Sequence, residues 1–220
     1  MALALFDLDH TLLEGDSDYL WGRFLVAHEL VDGAWFQAEN ERFYRAYQEG
    51  TLDPVEYLRF ALAPLTRYAP EQLHAWRQTF VDDWIRPRVR PQGHDLVREH
   101  ARRGDTTLIV TATNRFITAP IAELFGVDDL LATTPETRND RYTGEVVGPI
   151  TFGSGKVRAL EQWLTLHGED LRGSSFYSDS HNDLPLLERV DYPVAVDPDQ
   201  TLHARARDAG WRVIALGDTA

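Results

Sequence analysis

Two aspartates near the start of the chain have the type and spacing of a metal-assisted site. Asp7 and Asp9 follow the apolar run Ala2–Phe6, which is typical of a strand buried on both faces of a sheet. The i, i+2 spacing puts both carboxylates on one side of an extended chain, where like charges are costly unless a cation or a shared proton relieves them. Mg²⁺ prefers oxygen ligands and supplies that relief. For Asp9 alone, a helix cap or a turn is the alternative.

A hydroxyl and a lysine farther along the chain are candidates for binding an anion. Thr111 precedes a predicted helix, so its hydroxyl and the helix N-terminal amides would form an anion-binding nest, with an ordinary N-cap as the alternative. Lys156 follows Gly-Ser-Gly, but this is not a P-loop, because no glycine stands five residues before the Gly-Lys pair and Val157 replaces the Ser or Thr. A lone lysine here is usually solvated, whereas a phosphate site on an acidic chain needs a fixed cation.

A third polar group, Asp179-Ser180-His181-Asn182-Asp183, follows an apolar run. We expect Asp179 to complete the metal site, and Asp183 to orient Lys156 or a metal-bound water, with Asn182 between them. In open α/β sheets, ligands bind outside the carboxyl ends of the strands, which is where each of these groups falls. The sequence therefore predicts that they meet at one edge of a sheet.

Short apolar runs recur along the chain and predict strands at Ala2–Phe6, Thr106–Val110, Leu130–Thr133, Ser174–Tyr177, Tyr192–Val196 and Arg212–Leu216. Helix-like stretches that end at glycines lie between most of them, at Gln92–Arg103, Phe116–Phe125 and Lys156–His167. This alternation predicts an α/β fold with a doubly wound parallel sheet. The glycine within Arg141–Val147 predicts a small hairpin or an extended arm.

About 75 residues between the first two strands have helical periodicity instead, which is too long for a connecting loop. Amphipathic helices are expected at Asp18–Leu30, Trp35–Gln48, Pro54–Leu65 and Pro70–Ile85. We therefore predict an inserted helical cap domain at 14–87 on a catalytic core formed by 1–13 and 88–220. Four tryptophans of the insert are expected in its core: Trp21, Trp35, Trp76 and Trp84.

Composition limits the function classes further. Lys and Arg total 22 against 35 Asp and Glu, a net charge of −13, which disfavours nucleic-acid binding. The chain has no cysteine, which excludes disulfides, thiolate zinc sites and a cysteine nucleophile. No apolar run approaches the roughly 18 residues of a membrane span, and no basic segment precedes the first apolar run. We expect a cytoplasmic protein, monomeric or homodimeric.

The string Asp7-Leu8-Asp9-His10-Thr11, followed in order by Thr111, Lys156 and Asp179 to Asp183, resembles the four motifs of the haloacid dehalogenase superfamily. The helical insert directly after the first motif resembles the cap of the phosphoserine-phosphatase-like branch. The resemblance covers nearly the whole chain. It implies a Mg²⁺-dependent phosphomonoester hydrolase that acts on a small phosphorylated metabolite.

The resemblance also implies a role for each motif residue. Asp7 would be the nucleophile that becomes an aspartyl-phosphate, and Asp9 the general acid and then the general base. Thr111 and Lys156 would hold the phosphate oxygens. Mg²⁺ would bind the Asp7 carboxylate, the Asp9 backbone carbonyl and Asp179.

The substrate is predicted from the cap. Asp16 and Arg59 resemble the pair that holds the amine and the carboxylate of phosphoserine in that branch, although Asp16 as an N-cap and Arg59 as a surface arginine are the alternatives. Phosphoserine is therefore the first expectation. Histidinol phosphate, which has an amine but no carboxylate, is the second.

Departures from the branch leave parts of this interpretation open. Thr113, a candidate substrate-binding residue, stands where glycines occur in the branch, and glycines are also missing around Asp179. A narrower or differently shaped pocket is expected. His10 and His181 flank the metal site, with either a direct role or a supporting one. Transfer to an acceptor other than water, a non-catalytic phosphate-binding protein and a signalling receiver domain are the remaining alternatives.

Overall fold

A parallel sheet forms the centre of the computed structural model, which describes residues 2–217. The strands are β1 (Leu3–Phe6), β2 (Thr106–Val110), β3 (Asp129–Leu131), β6 (Ser175–Ser178), β7 (Tyr192–Val196) and β8 (Arg212–Ile214), in the spatial order β3-β2-β1-β6-β7-β8. A second, antiparallel pair is β4 (Thr134–Arg138) and β5 (Arg141–Val147). The predicted α/β fold with a parallel sheet is confirmed. Arg141–Val147, predicted as a small hairpin or an extended arm, is the single strand β5, which pairs with β4.

The other regular elements of the described chain are helices. The insert contains α1 (Ser17–Ala27), α2 (Gly33–Gln48), α3 (Pro54–Arg67) and α4 (Pro70–Phe80). The sheet is flanked by α5 (Pro91–Arg103), α6 (Arg115–Phe125), α7 (Ser154–His167), α8 (Leu184–Leu187) and α9 (Gln200–Ala209). The predicted long helix Pro70–Ile85 instead changes after α4 into a π-helical turn, Val81–Ile85, and a 3₁₀ turn, Arg86–Arg88. No helix within residues 2–217 is long and apolar enough to cross a membrane.

The central strand β1 brings the motif residues together. All four of its residues are buried, as expected for a strand covered on both faces. It pairs in parallel with β2 on one side and with β6 on the other. The chain order along the sheet reverses between β1 and β6, so a crevice opens at their carboxyl ends. Asp7, Thr111 and Asp179 directly follow the three strands at this crevice.

The two ends of the insert lie side by side. Leu13 and Val89 form an isolated antiparallel bridge. The Glu14 amide donates to the Arg88 carbonyl at 2.8 Å, and the Arg90 amide donates to the Leu12 carbonyl at 3.0 Å. The insert therefore leaves and rejoins the sheet layer at one place, close to the predicted boundaries at 13 and 88.

An apolar cluster runs from the insert into the sheet layer. The Trp21 ring stacks on Phe24 at 5.2 Å and meets Phe80 and Phe116 edge-on at 5.2 and 5.7 Å. Phe116 belongs to α6, which packs on the sheet, whereas the other three rings belong to the insert. We call these four side chains the Trp21 cluster. They belong to one buried apolar set that also includes Phe6 of β1.

The prediction that Trp35 lies in the core of the insert is wrong. Its side chain is 57% exposed, whereas Trp21 is buried and the other two tryptophans of the insert are partly buried against the core. The buried face of α2 is formed by Phe36, Asn40 and Phe43, which follow helical spacing. Trp35 precedes that face by one residue and so points outward.

Candidate active site

Asp7 lies at the base of the crevice, directly after β1. Its Oδ1 accepts a 2.6 Å hydrogen bond from Lys156 Nζ, and its Oδ2 accepts a longer one, 3.4 Å, from the Thr11 hydroxyl. Burial raises the pKa of Asp7 to about 7; the nearby Lys156 charge opposes this shift, and Asp183 and Asp9 add to it. A carboxylate that is buried, hydrogen-bonded and close to a fixed cation can act as a nucleophile held in one orientation.

Asp9 is held by different partners. Its Oδ1 accepts from the Ser17 amide at 2.7 Å, and its Oδ2 accepts from the Thr113 hydroxyl at 2.8 Å. Burial, with the neighbouring Asp16 charge, raises the pKa of Asp9 to about 6. A carboxyl group with this pKa can give and take a proton near neutral pH. Thr113, predicted to contact substrate, instead donates its hydroxyl to Asp9, although it still lines the crevice.

Lys156 is almost fully buried at the start of α7 and is not a solvated lysine. Its Nζ lies 2.6 Å from Asp7 and 2.8 Å from Asp183, and Asp183 also accepts from the Ser178 hydroxyl at 2.7 Å. Burial by itself would lower the pKa of Lys156, but the carboxylates of Asp183 and Asp7 raise it above its ordinary value. The lysine is therefore a permanent positive charge beside Asp7. Asp183 is the residue that orients it.

Gly155 allows α7 to begin where Lys156 can reach the crevice. A Cβ atom at Gly155 would lie 1.8 Å from the Ile150 carbonyl oxygen, so the backbone would have to move. We expect Gly155→Ala to lower kcat about 100-fold by displacing Lys156, and to lower the free energy of unfolding by about 1–3 kcal/mol. Phosphate release and urea unfolding measure the two effects.

The matched control for that substitution is Gly33→Ala at the start of α2. A Cβ atom there meets only a Val26 methyl group at 3.6 Å, an ordinary contact. Activity and stability of this variant should match the unsubstituted protein. If Gly155→Ala behaves in the same way, the close approach to Ile150 does not position Lys156.

Asp179 and Thr11 form the other side of the base of the crevice. The Thr11 hydroxyl lies 3.0 Å from Asp179 Oδ1 and 3.1 Å from the Asp179 amide. Burial, Asp7 and Asp183 together raise the pKa of Asp179 well above its ordinary value. Lys156 pairs with Asp7 and Asp183 but not with Asp179, so the negative charge of Asp179 is left for a hard cation.

The side chains at the base of the crevice fit a metal ion that binds few protein ligands. Within residues 2–217, no group of three or more His, Cys, Asp or Glu side chains is arranged so that it could hold a metal ion by itself. The Asp9 carboxylate is turned to Ser17 and Thr113, so Asp7 and Asp179 are the two carboxylates left at the base. Mg²⁺ usually binds through one or two carboxylates, with water and substrate phosphate as further ligands.

Thr111 follows β2 and is fully buried. Its Oγ1 accepts from the Thr113 amide at 3.2 Å, and Asn114 then caps α6. The turn therefore presents a hydroxyl and the start of a helix to the crevice, which is the arrangement of an anion-binding nest.

The crevice continues into a cavity under the insert. Four carboxylates line it: Asp7, Asp9, Asp16 and Asp18. Aromatic rings form much of the remaining wall: Tyr19, Phe43, Tyr44, Tyr47, Tyr57 and Phe152. Lysine, arginine and histidine are absent from the residues of 2–217 that line this cavity. The end away from Lys156 is thus suited to an organic group with positive charge or with N–H donors.

Asp16, the N-cap residue of α1, and Asp18, in the first turn of α1, form the acidic wall. Asp16 caps the helix by accepting from the Tyr19 amide at 2.8 Å. Burial raises the pKa of Asp18 to about 8, with a further contribution from Asp16, while the Tyr57 hydroxyl acts in the opposite direction. Asp16 was predicted as a site residue, but Asp18, Tyr57 and Asn40 were missed. The i, i+2 spacing of Asp16 and Asp18 was the available sign in the sequence.

Family and fold comparisons agree with this geometry. Residues 4–188 match the family model of haloacid dehalogenase-like hydrolases. The chain belongs to this family. A histidinol-phosphatase of Neisseria meningitidis serogroup C is 45% identical to this hydrolase over 216 residues, which cover 96% of this chain and 97% of the relative. Phosphoserine phosphatase SerB1 of Mycobacterium tuberculosis is 32% identical over 215 residues, covering 96% and 70% of the two chains.

Solved structures show the same fold. A Bordetella pertussis Tohama I protein of unknown function matches this hydrolase with a TM-score of 0.93 and 45% identity, covering 98% of this chain and 99% of the other. A substrate-bound phosphoserine phosphatase matches with a TM-score of 0.71 and 20% identity, over 97% and 92% of the two chains. The predicted family and the predicted class of phosphomonoester hydrolase are confirmed.

The structure of this hydrolase does not bring Arg59 to the cavity. Arg59 is exposed on α3 and lines a separate surface depression with Trp35 and Phe36. Its neighbours Tyr57 and Leu58 take the inward positions and line the cavity. The expected pairing of Asp16 with Arg59 is therefore corrected, because Arg59 lies on the outer side of the helix.

His10 and Asn182 contact the insert, and His181 is held within the sheet layer. His10 has a positive φ of 57°, and its Nε2 lies 3.3 Å from the Tyr44 hydroxyl. The His181 ring is held by Asp199 at 2.7 Å. Asn182 Nδ2 donates to the Tyr47 carbonyl at 3.4 Å. The loops that carry the motif residues thus also hold the insert over the site, which is a supporting role for these side chains.

Proposed function

We propose that this hydrolase is a Mg²⁺-dependent phosphatase for a small phosphomonoester that carries an amine and lacks a carboxylate. The observation that carries the proposal is the acidic and aromatic wall of the cavity, with Arg59 outside it. A substrate carboxylate would face Asp16 and Asp18 without a cation to receive it. Histidinol phosphate fits this wall better than phosphoserine. The name of the Neisseria relative, histidinol-phosphatase, supports the same choice.

The buried carboxylate of Asp7 performs the first chemical step. One of its oxygens attacks phosphorus, and the bond between phosphorus and the substrate oxygen breaks. Asp9 gives its proton to that oxygen as the alcohol leaves, which its pKa of about 6 permits. Lys156, with the Thr111 hydroxyl and the start of α6, stabilises the negative charge on the transferred phosphoryl group.

Hydrolysis of the aspartyl-phosphate uses the same residues. Asp9, now a carboxylate, takes a proton from a water molecule, and the water oxygen attacks phosphorus. The bond to Asp7 breaks, and inorganic phosphate leaves with the Asp7 carboxylate restored. The hydrogen bonds from Ser17 and Thr113 keep Asp9 in one place for both proton transfers.

Asp7, Asp179 and the backbone carbonyl of Asp9 would hold Mg²⁺ at the base of the crevice. When bound, the ion would neutralise negative charge on the phosphate oxygens and on the carboxylates that meet there. Asp183 keeps Lys156 beside Asp7. The insert covers the crevice and limits the access of water, while Asp16 receives the substrate amine. On the basis of the sequence, we also propose a cytoplasmic location and a monomeric or homodimeric state.

The test is phosphate release by the purified protein from histidinol phosphate, phosphoserine, glucose 6-phosphate and p-nitrophenyl phosphate, with Mg²⁺ or with a chelator. We expect release only with Mg²⁺, and a kcat/KM for histidinol phosphate about 100-fold above that for phosphoserine, a difference of about 2.7 kcal/mol. A preference for phosphoserine would overturn the substrate, and undiminished release with chelator would overturn the metal. No release from any ester would overturn the phosphatase itself.

Arg59→Ala is the matched control for the substrate assignment. Since Arg59 lies outside the cavity, its removal should leave kcat/KM for both amine-bearing esters unchanged within about twofold. A large rise in KM for phosphoserine alone would return Arg59 to the site and contradict the proposal.

A further inference from the structure

We infer that Asp18 and Tyr57 form a specificity site for a second nitrogen-bearing group of the substrate, a planar heterocycle with an N–H donor, separate from the amine site at Asp16. This inference rests on the proposed function and deepens it. A substrate that matches both carboxylates carries an aliphatic amine close to the phosphate and a nitrogen heterocycle farther from it.

The acidic wall provides two carboxyl groups rather than one. Asp16 uses one oxygen to cap α1 and adjoins Asp9, whose charge interacts with it. Asp18 lies in the first turn of α1, is only 8% exposed and lines the cavity. The carboxyl groups of Asp9, Asp16 and Asp18 interact with one another. A ligand that extends from the phosphate site along this wall can therefore meet them in turn.

Asp18 has no cationic partner among the described residues. The ion pairs within residues 2–217 do not include it, and the cavity lining contains no basic side chain. Its partner is the Tyr57 hydroxyl, and burial raises its pKa to about 8. A buried acid without a counter-charge lowers the free energy of unfolding, and its packing does not offset this cost. A ligand N–H group is the missing partner that the geometry accommodates.

Aromatic rings beside Asp18 favour a planar group. Tyr57 of α3 meets Phe43 of α2 at 5.2 Å and 66°, and both rings line the cavity. Tyr19 and Tyr44 stack at 4.7 Å on the same wall. Flat apolar faces with a carboxyl group at their edge suit a small aromatic heterocycle, because the ring packs on the faces while its N–H points to the acid.

Asp18→Asn tests this assignment with a pair of substrates that differ by the ring. Histidinol phosphate has the amine and an imidazole, and 2-aminopropyl phosphate has the amine and a methyl group in place of the imidazolylmethyl group. We expect Asp18→Asn to lower the ratio of kcat/KM for histidinol phosphate to kcat/KM for 2-aminopropyl phosphate about 10-fold, the effect of losing one hydrogen bond.

Two further variants separate specificity from structure. Tyr57→Phe removes only the hydroxyl that faces Asp18, and we expect the same ratio of kcat/KM values to fall about fivefold. Asp16→Asn should lower kcat/KM for both amine-bearing substrates. Thermal melting of each variant reports its folding. An equal loss with all substrates in Asp18→Asn would show a structural role and overturn the inference.

Other outcomes distinguish this inference from the proposed function. If the unsubstituted protein hydrolyses both amine-bearing esters equally well, the ring site is wrong although the phosphatase stands. If no ester is hydrolysed, the proposed function fails, and titration calorimetry with histidinol still tests the site without turnover. Equal affinity of histidinol for the unsubstituted protein and for Asp18→Asn, or no binding to either, would overturn the inference.

Discussion

Asp7→Asn is expected to lower the rate of phosphate release about 10⁶-fold with every substrate, a loss of the size seen when a covalent nucleophile is removed. The amide has the shape of the carboxylate and can still accept from Lys156, but it cannot attack phosphorus. The measurement is release of phosphate from p-nitrophenyl phosphate and from histidinol phosphate. Asp208→Asn, at an exposed position on α9, is the matched control and should retain full activity.

The same substitution is expected to leave the fold intact and to raise its stability in alkaline solution. Burial raises the pKa of Asp7 from 3.8 to about 7 in the folded protein, so the charged form is less stable folded than unfolded. The resulting loss of stability grows from about pH 4 to pH 7 and is full at pH 8. In the presence of chelator, Asp7→Asn should therefore have a higher Tm than the unsubstituted protein at pH 8, and the difference in Tm should be smaller at pH 5. Retained turnover would remove Asp7 from its proposed role.

Lys156→Met is expected to lower kcat about 10³-fold, since one fixed charge beside the phosphoryl group is lost. It should also lower the free energy of unfolding at pH 7 by about 3–5 kcal/mol, because Asp7 and Asp183 would remain buried without their cation. Urea unfolding measures the second effect. Acidification towards pH 5 should reduce the loss of stability, since protonated carboxyl groups need no counter-charge.

A double substitution separates the two consequences of removing the lysine. The double variant with Lys156→Met and Asp183→Asn lacks one of the two uncompensated carboxylates. Its free energy of unfolding should therefore be higher than that of Lys156→Met alone, while its activity stays low. Arg158→Met, at an exposed position on the same helix, is the matched control and should change neither property. Full activity of Lys156→Met would contradict the assignment of the lysine to the phosphate site.

The sheet and the base of the crevice could be predicted from sequence because one rule places them. Apolar runs followed by polar residues are typical of parallel strands, and parallel strands bring their carboxyl ends to one edge. Asp7, Thr111 and Asp179 therefore meet without any knowledge of side-chain packing. Lys156 was predicted because a phosphate site on an acidic chain needs a fixed cation and because the motif order resembles the family. Nothing in the sequence showed that Gly155 lets α7 begin so close to Ile150.

The wall of the cavity could not be predicted in the same way. Which residues of the insert face inward depends on the rotation of each helix about its axis, which is decided by packing between helices. Trp35 points outward although it directly precedes the buried Phe36. Arg59 also points outward, although it directly follows two inward residues of α3. Asp18 and Tyr57 lie 39 positions apart on different helices, so only the packed insert brings them together. The strand β4 was also missed, because Thr134–Arg138 has a mixed polar composition.

The Trp21 cluster has a consequence for how the molecule folds. Its rings come from both the insert and α6, and Arg77 of α4 also donates to the Phe116 carbonyl at 2.8 Å. Neither part keeps its apolar surface buried when the other is unfolded, so the chain should lose structure in a single cooperative transition. Contacts with Phe116 of α6 thus anchor α1 and α4 to the sheet layer.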